Sequence, residues 1–291
     1  MSTKNLLKTG ALLAGLTALF AVVGYLFGGM GGIIVALIVA VAMNGAAYWF
    51  SDRMALAMTR ARPISASEAP HLHALVAELA GRAAVPVPAV FIIDDPSPNA
   101  FATGRDPAHA AVAVTTGILD LLDWRELRGV LAHEFAHIKN RDILLTTIAA
   151  TFAGAISAVA GLFQLSFLFG SHDEDDNAGT PGGLALLITA PIAATLLQLA
   201  LSRSREYAAD ATGARLCGDP LALAVALRRL ERGTWLRPMA VNPAASPLFI
   251  VHPCSRDGLL HLFSTHPPMA SRVAQLEAMV PWGVSRGTAL G

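Results

Sequence analysis

The chain has 291 residues, 54% of them hydrophobic and only 14% charged, against about 25% charged in a typical soluble domain. Lys+Arg and Asp+Glu each number 21, so the formal charge is zero; bulk attraction to nucleic acid has no support and no such partner is expected. Two cysteines, Cys217 and Cys254, make no disulfide framework, which favours a reducing compartment.

No charged residue stands between Lys8 and Asp52. Gly28-Gly29-Met30-Gly31-Gly32 divides this run into residues 9–27 and 33–50, each near the roughly 20 apolar residues that cross a bilayer core. Lys4 and Lys8 before the first half also give it the outline of a signal peptide. A second apolar run follows at once, however, without a convincing cleavage site between them. Two spans joined by a Gly-rich turn are expected.

Residues 51–124 read as soluble. Ser65-Ala66-Ser67-Glu68 has the form of a capping box, and Leu72, Leu75, Val76 and Leu79 follow at helical spacing. Pro86-Val87-Pro88 breaks that helix. Residues 89–93 and 110–115 read as short strands, with 96–101 and 104–107 as turns between them. A small sheet of this kind can accept a peptide as an added edge strand or merely buttress a helix; the residues alone leave both open.

Asp123-Trp124-Arg125-Glu126 forms another capping box, and Leu127, Val130, Leu131, Phe135 and Ile138 make an apolar stripe behind it. Inside this helix stands His133-Glu134-Phe135-Ala136-His137, an H-E-x-x-H pattern. Residues four apart share a helix face, so His133 and His137 can offer two imidazoles to one ion with Glu134 beside them. That arrangement suits a zinc ion holding a water, with Glu134 as the base. Two unrelated histidines on a surface helix are the plain alternative.

Residues 143–170 and 177–202 carry no charge and flank an acidic loop with Asp173, Glu174, Asp175 and Asp176, which predicts a second pair of spans; Pro191 is tolerable within one. Four spans place Lys4, Lys8, Arg53, Arg60, Arg62, Lys139, Arg141, Arg203 and Arg205 on one side and no basic residue on the other. The positive-inside rule then puts both termini and both soluble parts in the cytoplasm. After the fourth span comes Glu206, a natural third ligand that leaves a position for water, with a surface ion pair to Arg203 or Arg205 as its alternative. Two crossings return it to the side of His137. Asp210, one turn on, can accept the spare N–H of a ligating histidine. Further on, residues 221–230 read as a helix, and 238–258 as a Pro-containing stretch able to cover a cleft. His266 precedes Pro267, a suitable first helical residue, and Arg272 lies in the helix that follows.

The H-E-x-x-H helix, Glu206 with Asp210, Asn99-Ala100-Phe101 and Phe263-Ser264-Thr265-His266-Pro267-Pro268, with four spans in this order, resemble the HtpX family of bacterial membrane metalloproteases, relatives of the CAAX prenyl proteases. The resemblance covers essentially the whole chain. It implies a gluzincin-type zinc endopeptidase of the inner membrane, acting in stress response and quality control of misfolded or damaged membrane proteins. One Zn2+ would be held by His133, His137 and Glu206, with Glu134 as catalytic base. The resemblance also implies that the strand around Asn99, Ala100 and Phe101 lies along the substrate, that His266 helps stabilise the oxyanion, and that Arg272 braces the site. A capping histidine and a surface arginine are the alternatives for the last two.

The expected architecture is a mainly α membrane protein: four transmembrane helices plus a cytoplasmic, zincin-like α+β domain with a small β-sheet. Its parts are a hairpin over 1–50, a protease part over 51–142, a second hairpin over 143–202 and a second protease part over 203–291. Its partners are membrane-protein or unfolded polypeptide substrates and the lipid bilayer. Two rivals are weaker. An inactive zinc-stabilised adaptor would need no Glu134, and the resemblance implies more spans for a CAAX-type protease than this chain has.

Overall fold

The N-terminal fifth is one helical element, α1 (Thr3–Met58), broken where Gly28 and Gly29 leave helical geometry, Gly29 at φ 55° and ψ −139°. This computed structural model describes residues 3–148, 203–239, 245, 248–251 and 267–280. The two arms of α1 fold back on each other: Asn44 Nδ2 donates to Thr17 Oγ1 at 3.1 Å across the hairpin. A Cβ on Gly24 would lie 2.4 Å from the carbonyl oxygen of Gly32, so glycine is what lets the backbones touch near the turn. Among the described residues, Gly28–Met58 is the one helix long and apolar enough to cross a membrane, and the first arm carries the shorter apolar stretch Leu13–Val22. Val35, Ile38, Val41, Trp49 and Phe50 are exposed along the long arm, a continuous apolar surface of the kind a soluble monomer rarely shows. The expected third and fourth spans lie outside the described residues, except that 143–148 are helical.

The soluble part holds a mixed sheet of β1 (Arg62–Pro63), β2 (Ala89–Ile93), β3 (Ala100–Gly104) and β4 (Ala110–Thr115), in the order β1-β2-β4-β3. β2 runs parallel to β4, while β1–β2 and β3–β4 are antiparallel. β2 and β4 fall where the sequence places them. Residues 96–99 form the expected turn, but Ala100 and Phe101, placed in that turn by the sequence, begin β3. All five of its residues are buried, so it shows no inside–outside alternation, and alanine and glycine are poor strand formers; its pairing with β4, Phe101 opposite Ala113, decides its conformation.

Besides the helical residues 143–148 and a 3-10 turn at Pro107–His109, seven α-helices are described. They are α1, α2 (Pro70–Ala83), α3 (Thr116–Leu121), α4 (Trp124–Asn140), α5 (Arg203–Cys217), α6 (Pro220–Leu236) and α7 (Met269–Ala278). The expected capping box at Ser65 closes a turn instead: Ser65 and Glu68 do bond to each other, but α2 starts at Pro70 with Ala69 as an N-cap lacking any side-chain bond. Proline starts a helix well, because its missing N–H would have no partner there. It also keeps the residue before it out of the helical region.

Each face of the sheet has its own core. On one, Leu72, Leu79, Val112, Leu131, Phe135 and Leu227 are among the side chains that join α2, α4, α5, α6 and α7 to the strands. On the other, Ala55 and Leu56 from the end of α1 meet Phe101, Ala113, Met239 and Phe249. The central helix α4 packs most extensively on α5, at a contact without a spacer side chain. A Cβ on Gly213 would stand 2.8 Å from the backbone of His133. Gly213→Ala is expected to destabilise the fold by about 1–3 kcal/mol, because the overpacked helices must separate. Denaturant midpoints of the two proteins in the same detergent check this.

Candidate metal centre

Helix α4 begins with the reciprocal capping box the sequence predicts: Asp123 accepts from the Glu126 N–H, and Glu126 accepts from the Asp123 N–H. Its apolar stripe is buried, and so are His133 and Glu134. On α5, Glu206, Asp210 and Gly213 follow at spacings of four and three residues, so they share the face turned to α4. The Gly213 contact therefore carries both carboxylates toward the histidines.

His133, His137 and Glu206 form the one group of three or more potential ligands among the described residues whose donor atoms converge, all within 4.8 Å of one another. His133 Nε2 and His137 Nε2 are 3.2 Å apart. Glu206 lies 3.7 Å from the first and 3.6 Å from the second. Ligands bound tetrahedrally at about 2.1 Å from a zinc ion stand roughly 3.4 Å apart. The donor set therefore fits a metal ion of that size.

The other ring nitrogens are held by acids. His133 Nδ1 lies 2.9 Å from Asp210 Oδ1, and His137 Nδ1 lies 3.4 Å from Asp142 Oδ2. Partners of this kind fix the tautomer of a ligating histidine. The wholly buried Arg272 grips Asp210 in a fork, Nε to Oδ2 and Nη2 to Oδ1 at 2.7 Å each; it is not a surface arginine. Asp142 was not singled out in the sequence. It sits just past the end of α4, where Arg141 turns the chain at φ 58° and the Asp142 N–H donates to the His137 carbonyl at 2.9 Å. A carboxylate five residues after a ligating histidine, at a helix end, is the signal that could have found it.

Glu134 faces β3, where its Oε2 accepts from the Ala102 N–H at 2.8 Å. Asn99, Ala100 and Phe101 are fully buried. Asn99 Nδ2 donates to the Val251 carbonyl at 2.8 Å, and Phe101 meets Phe249 edge to face, ring centres 5.2 Å apart. His266 lies outside the described residues, as does much of the 238–258 stretch. A cavity of about 30 Å³ remains between Ala102, the four α4 and α5 site residues and Leu248–Phe249–Ile250.

Burial pushes the Glu134 carboxyl up to about 8, with Glu206 adding to the shift and His137 opposing it. Burial would lower His137, but Asp142, Glu206 and Glu134 outweigh it and raise the ring to about 9. His133 is lowered, chiefly by burial. Burial raises Asp210 too, yet Arg272 overrides it and holds that carboxyl below the usual range.

A metal ligand must be an unprotonated imidazole. At pH 7, below the raised value of about 9, His137 carries a proton that a metal must displace. Zinc titration of metal-free protein is therefore expected to release about one proton or more per ion at neutral pH. Calorimetry in buffers of different ionisation heat measures this, and affinity is expected to fall as pH is lowered. Asp142→Asn is expected to weaken zinc binding about 10–100-fold, the usual loss for such a partner, in a competition titration with a fluorescent chelator.

The model for Peptidase family M48 matches residues 66–280, a stretch that contains all of these side chains. A protein called "Protease HtpX homolog" from Persephonella marina is 53% identical, covering 94% of this chain and 96% of its own. Another so named, from Methylibium petroleiphilum, is 49% identical over 95% of this chain and 98% of its own. Among solved structures, that of S. mikatae Ste24p shares the fold at a TM-score of 0.50 and 19% identity. It covers 94% of this chain and 66% of its own. The chain is a metalloprotease and belongs to peptidase family M48.

Proposed function

We propose that the chain is a zinc endopeptidase of the bacterial inner membrane that cuts misfolded or damaged membrane proteins at the cytoplasmic face. The observation that carries the chemistry is the convergence of His133, His137 and Glu206 within 4.8 Å, with the Glu134 carboxylate on the adjoining turn of α4. These three residues would hold the zinc. When bound, zinc polarises the scissile carbonyl and acidifies water.

The chain's own residues do the rest. Asp210, braced by Arg272, and Asp142 orient the two imidazoles so that Nε2 of each faces the shared space. Glu134 takes a proton from the attacking water and delivers it to the departing amine. Its burial in a dry site gives it the proton affinity of a useful base near neutrality. The Ala102 N–H holds the Glu134 carboxylate at the edge of β3, where a substrate backbone adding to Asn99, Ala100 and Phe101 would pass beside it.

Two contacts favour work beside a membrane. Ala55 and Leu56, at the end of the long apolar arm, pack on the sheet that carries β3. Arg105, just past β3, stacks over Trp49 of the same arm, 5.0 Å from the ring centre, and Trp is typical of the bilayer interface. The basic residues next to the apolar runs favour the cytoplasmic side. Damaged membrane proteins and the stress role rest on the HtpX resemblance alone.

Glu134→Gln is expected to bind zinc like the wild type and to lose casein cleavage by about 100-fold or more, the scale of a lost general base. Metal analysis and a casein assay on detergent-purified protein check both, and full cleavage by that variant would sink the assignment.

A further inference from the structure

β3 is an edge strand, the last in the order β1-β2-β4-β3, and in an antiparallel pair alternate residues turn their N–H and C=O to opposite sides. The Asn99 carbonyl accepts from Thr115 of β4, so Ala100 and Ala102 present their backbone groups outward. Three of those four groups are occupied from within the chain. The Ala100 carbonyl accepts from the Ile250 N–H at 3.1 Å, the Ala100 N–H donates to Asn99 Oδ1 at 3.1 Å, and the Ala102 N–H is held by Glu134.

The segment 248–251 is fastened to this edge by other groups as well. The Asn99 side chain acts as a backbone mimic, donating to the Val251 carbonyl at 2.8 Å and accepting from the Val251 N–H at 3.4 Å. Arg272 Nη1 donates to the Ile250 carbonyl at 3.3 Å, so the arginine that braces Asp210 also holds the segment. Phe249 is wholly buried against Phe101. The remaining cavity of about 30 Å³ has room for a water or two, each needing about 10–15 Å³, and none for a peptide residue.

We propose that Leu248-Phe249-Ile250-Val251 is an internal occupant of the substrate edge, so that the enzyme rests self-blocked until an extended apolar polypeptide displaces it. This rests on the proteolytic reading above and deepens it in two ways. The segment takes the Ala100 carbonyl of β3, a backbone acceptor that a substrate strand would use. Leu248, Phe249 and Ile250 line the cavity beside His133, Glu134, His137 and Glu206, the space that substrate side chains would enter, which points to extended hydrophobic stretches exposed when a protein unfolds. A blocked site lowers apparent activity by the fraction of molecules that are open.

Ile250→Pro and Val251→Pro each remove one N–H that fastens the segment, the first from Ala100 and the second from Asn99. The full chain in detergent, loaded with zinc, serves for two measurements: the rate at which EDTA strips the metal, and the rate of β-casein cleavage. Equal zinc content and equal hydrogen-exchange protection of β2 and β4 show that the fold is kept. Both variants are expected to lose zinc and to cleave casein about fivefold faster than the wild type or more, as expected when a minor open state becomes a major one. A synthetic peptide of residues 246–253 is expected to slow cleavage by the released variants. Folded, zinc-replete variants that strip and cleave at the wild-type rate or slower would overturn the proposal. Casein cleavage that survives Glu134→Gln would remove the proteolytic reading instead, and the stripping rates would still decide whether the segment closes the site.

Discussion

The backbone contact between α4 and α5 is what the candidate metal centre depends on. With no side chain on Gly213, α5 approaches the His133 backbone closely enough that any Cβ there would overlap it. Two turns earlier on the same face, Glu206 then comes within 3.6–3.7 Å of both histidines. One turn earlier, Asp210 reaches Nδ1 of His133. A wider separation would lose all three contacts together, because they hang from one rigid helix. Gly129 makes a second such approach, toward Leu223 of α6, so α4 is seated closely on two sides.

That seating gathers charge in a dry place, which is costly unless it is paired. Glu134, Glu206, Asp210 and Asp142 are all buried. Arg272 offsets Asp210 through two parallel hydrogen bonds, the strongest geometry for such a pair. Arg205 feels the charges of Asp142 and Glu206. Among the described residues two arginines stand against four carboxylates, an excess of acid that a divalent cation would offset. Without one, Glu134 rises to about 8, chiefly because it is buried and with Glu206 adding to the shift, while at His137 Asp142, Glu206 and Glu134 outweigh burial and raise the ring to about 9. The raised His137 and the ligand spacing both follow from carboxylates gathered around the two imidazoles.

Much of this was legible in the sequence, and what was not has identifiable causes. The capping box at Asp123 and the stripe of Leu127, Val130 and Leu131 are local patterns, and a helix reports them directly. β2 and β4 were readable because apolar runs bounded by turn residues need little context. β3 was not: Ala100-Phe101-Ala102-Thr103-Gly104 has weak propensity, and its conformation comes from β4. Asp142 escaped because its relation to His137 depends on a left-handed residue, Arg141, that sequence does not mark. Glycine is a weak helix former, and what Gly213 does appears only where two helices cross. Arg272 was reached through a family resemblance, since no spacing connects it to Asp210, 62 residues earlier.

β3 joins these parts. Its odd and even positions answer to different partners: Phe101 turns to the core shared with the end of α1, while Ala100 and Ala102 belong to the core shared with α4. The same short strand therefore touches the base of the membrane-length helix on one face and orients Glu134 through the Ala102 N–H on the other. Ala100 and Ala102 suit it to this position, because larger side chains would fill the space between strand and α4 that the site requires. The low strand propensity that hid β3 in the sequence is thus a consequence of its place. A strand at a close approach is made of small residues, and small residues carry little signal.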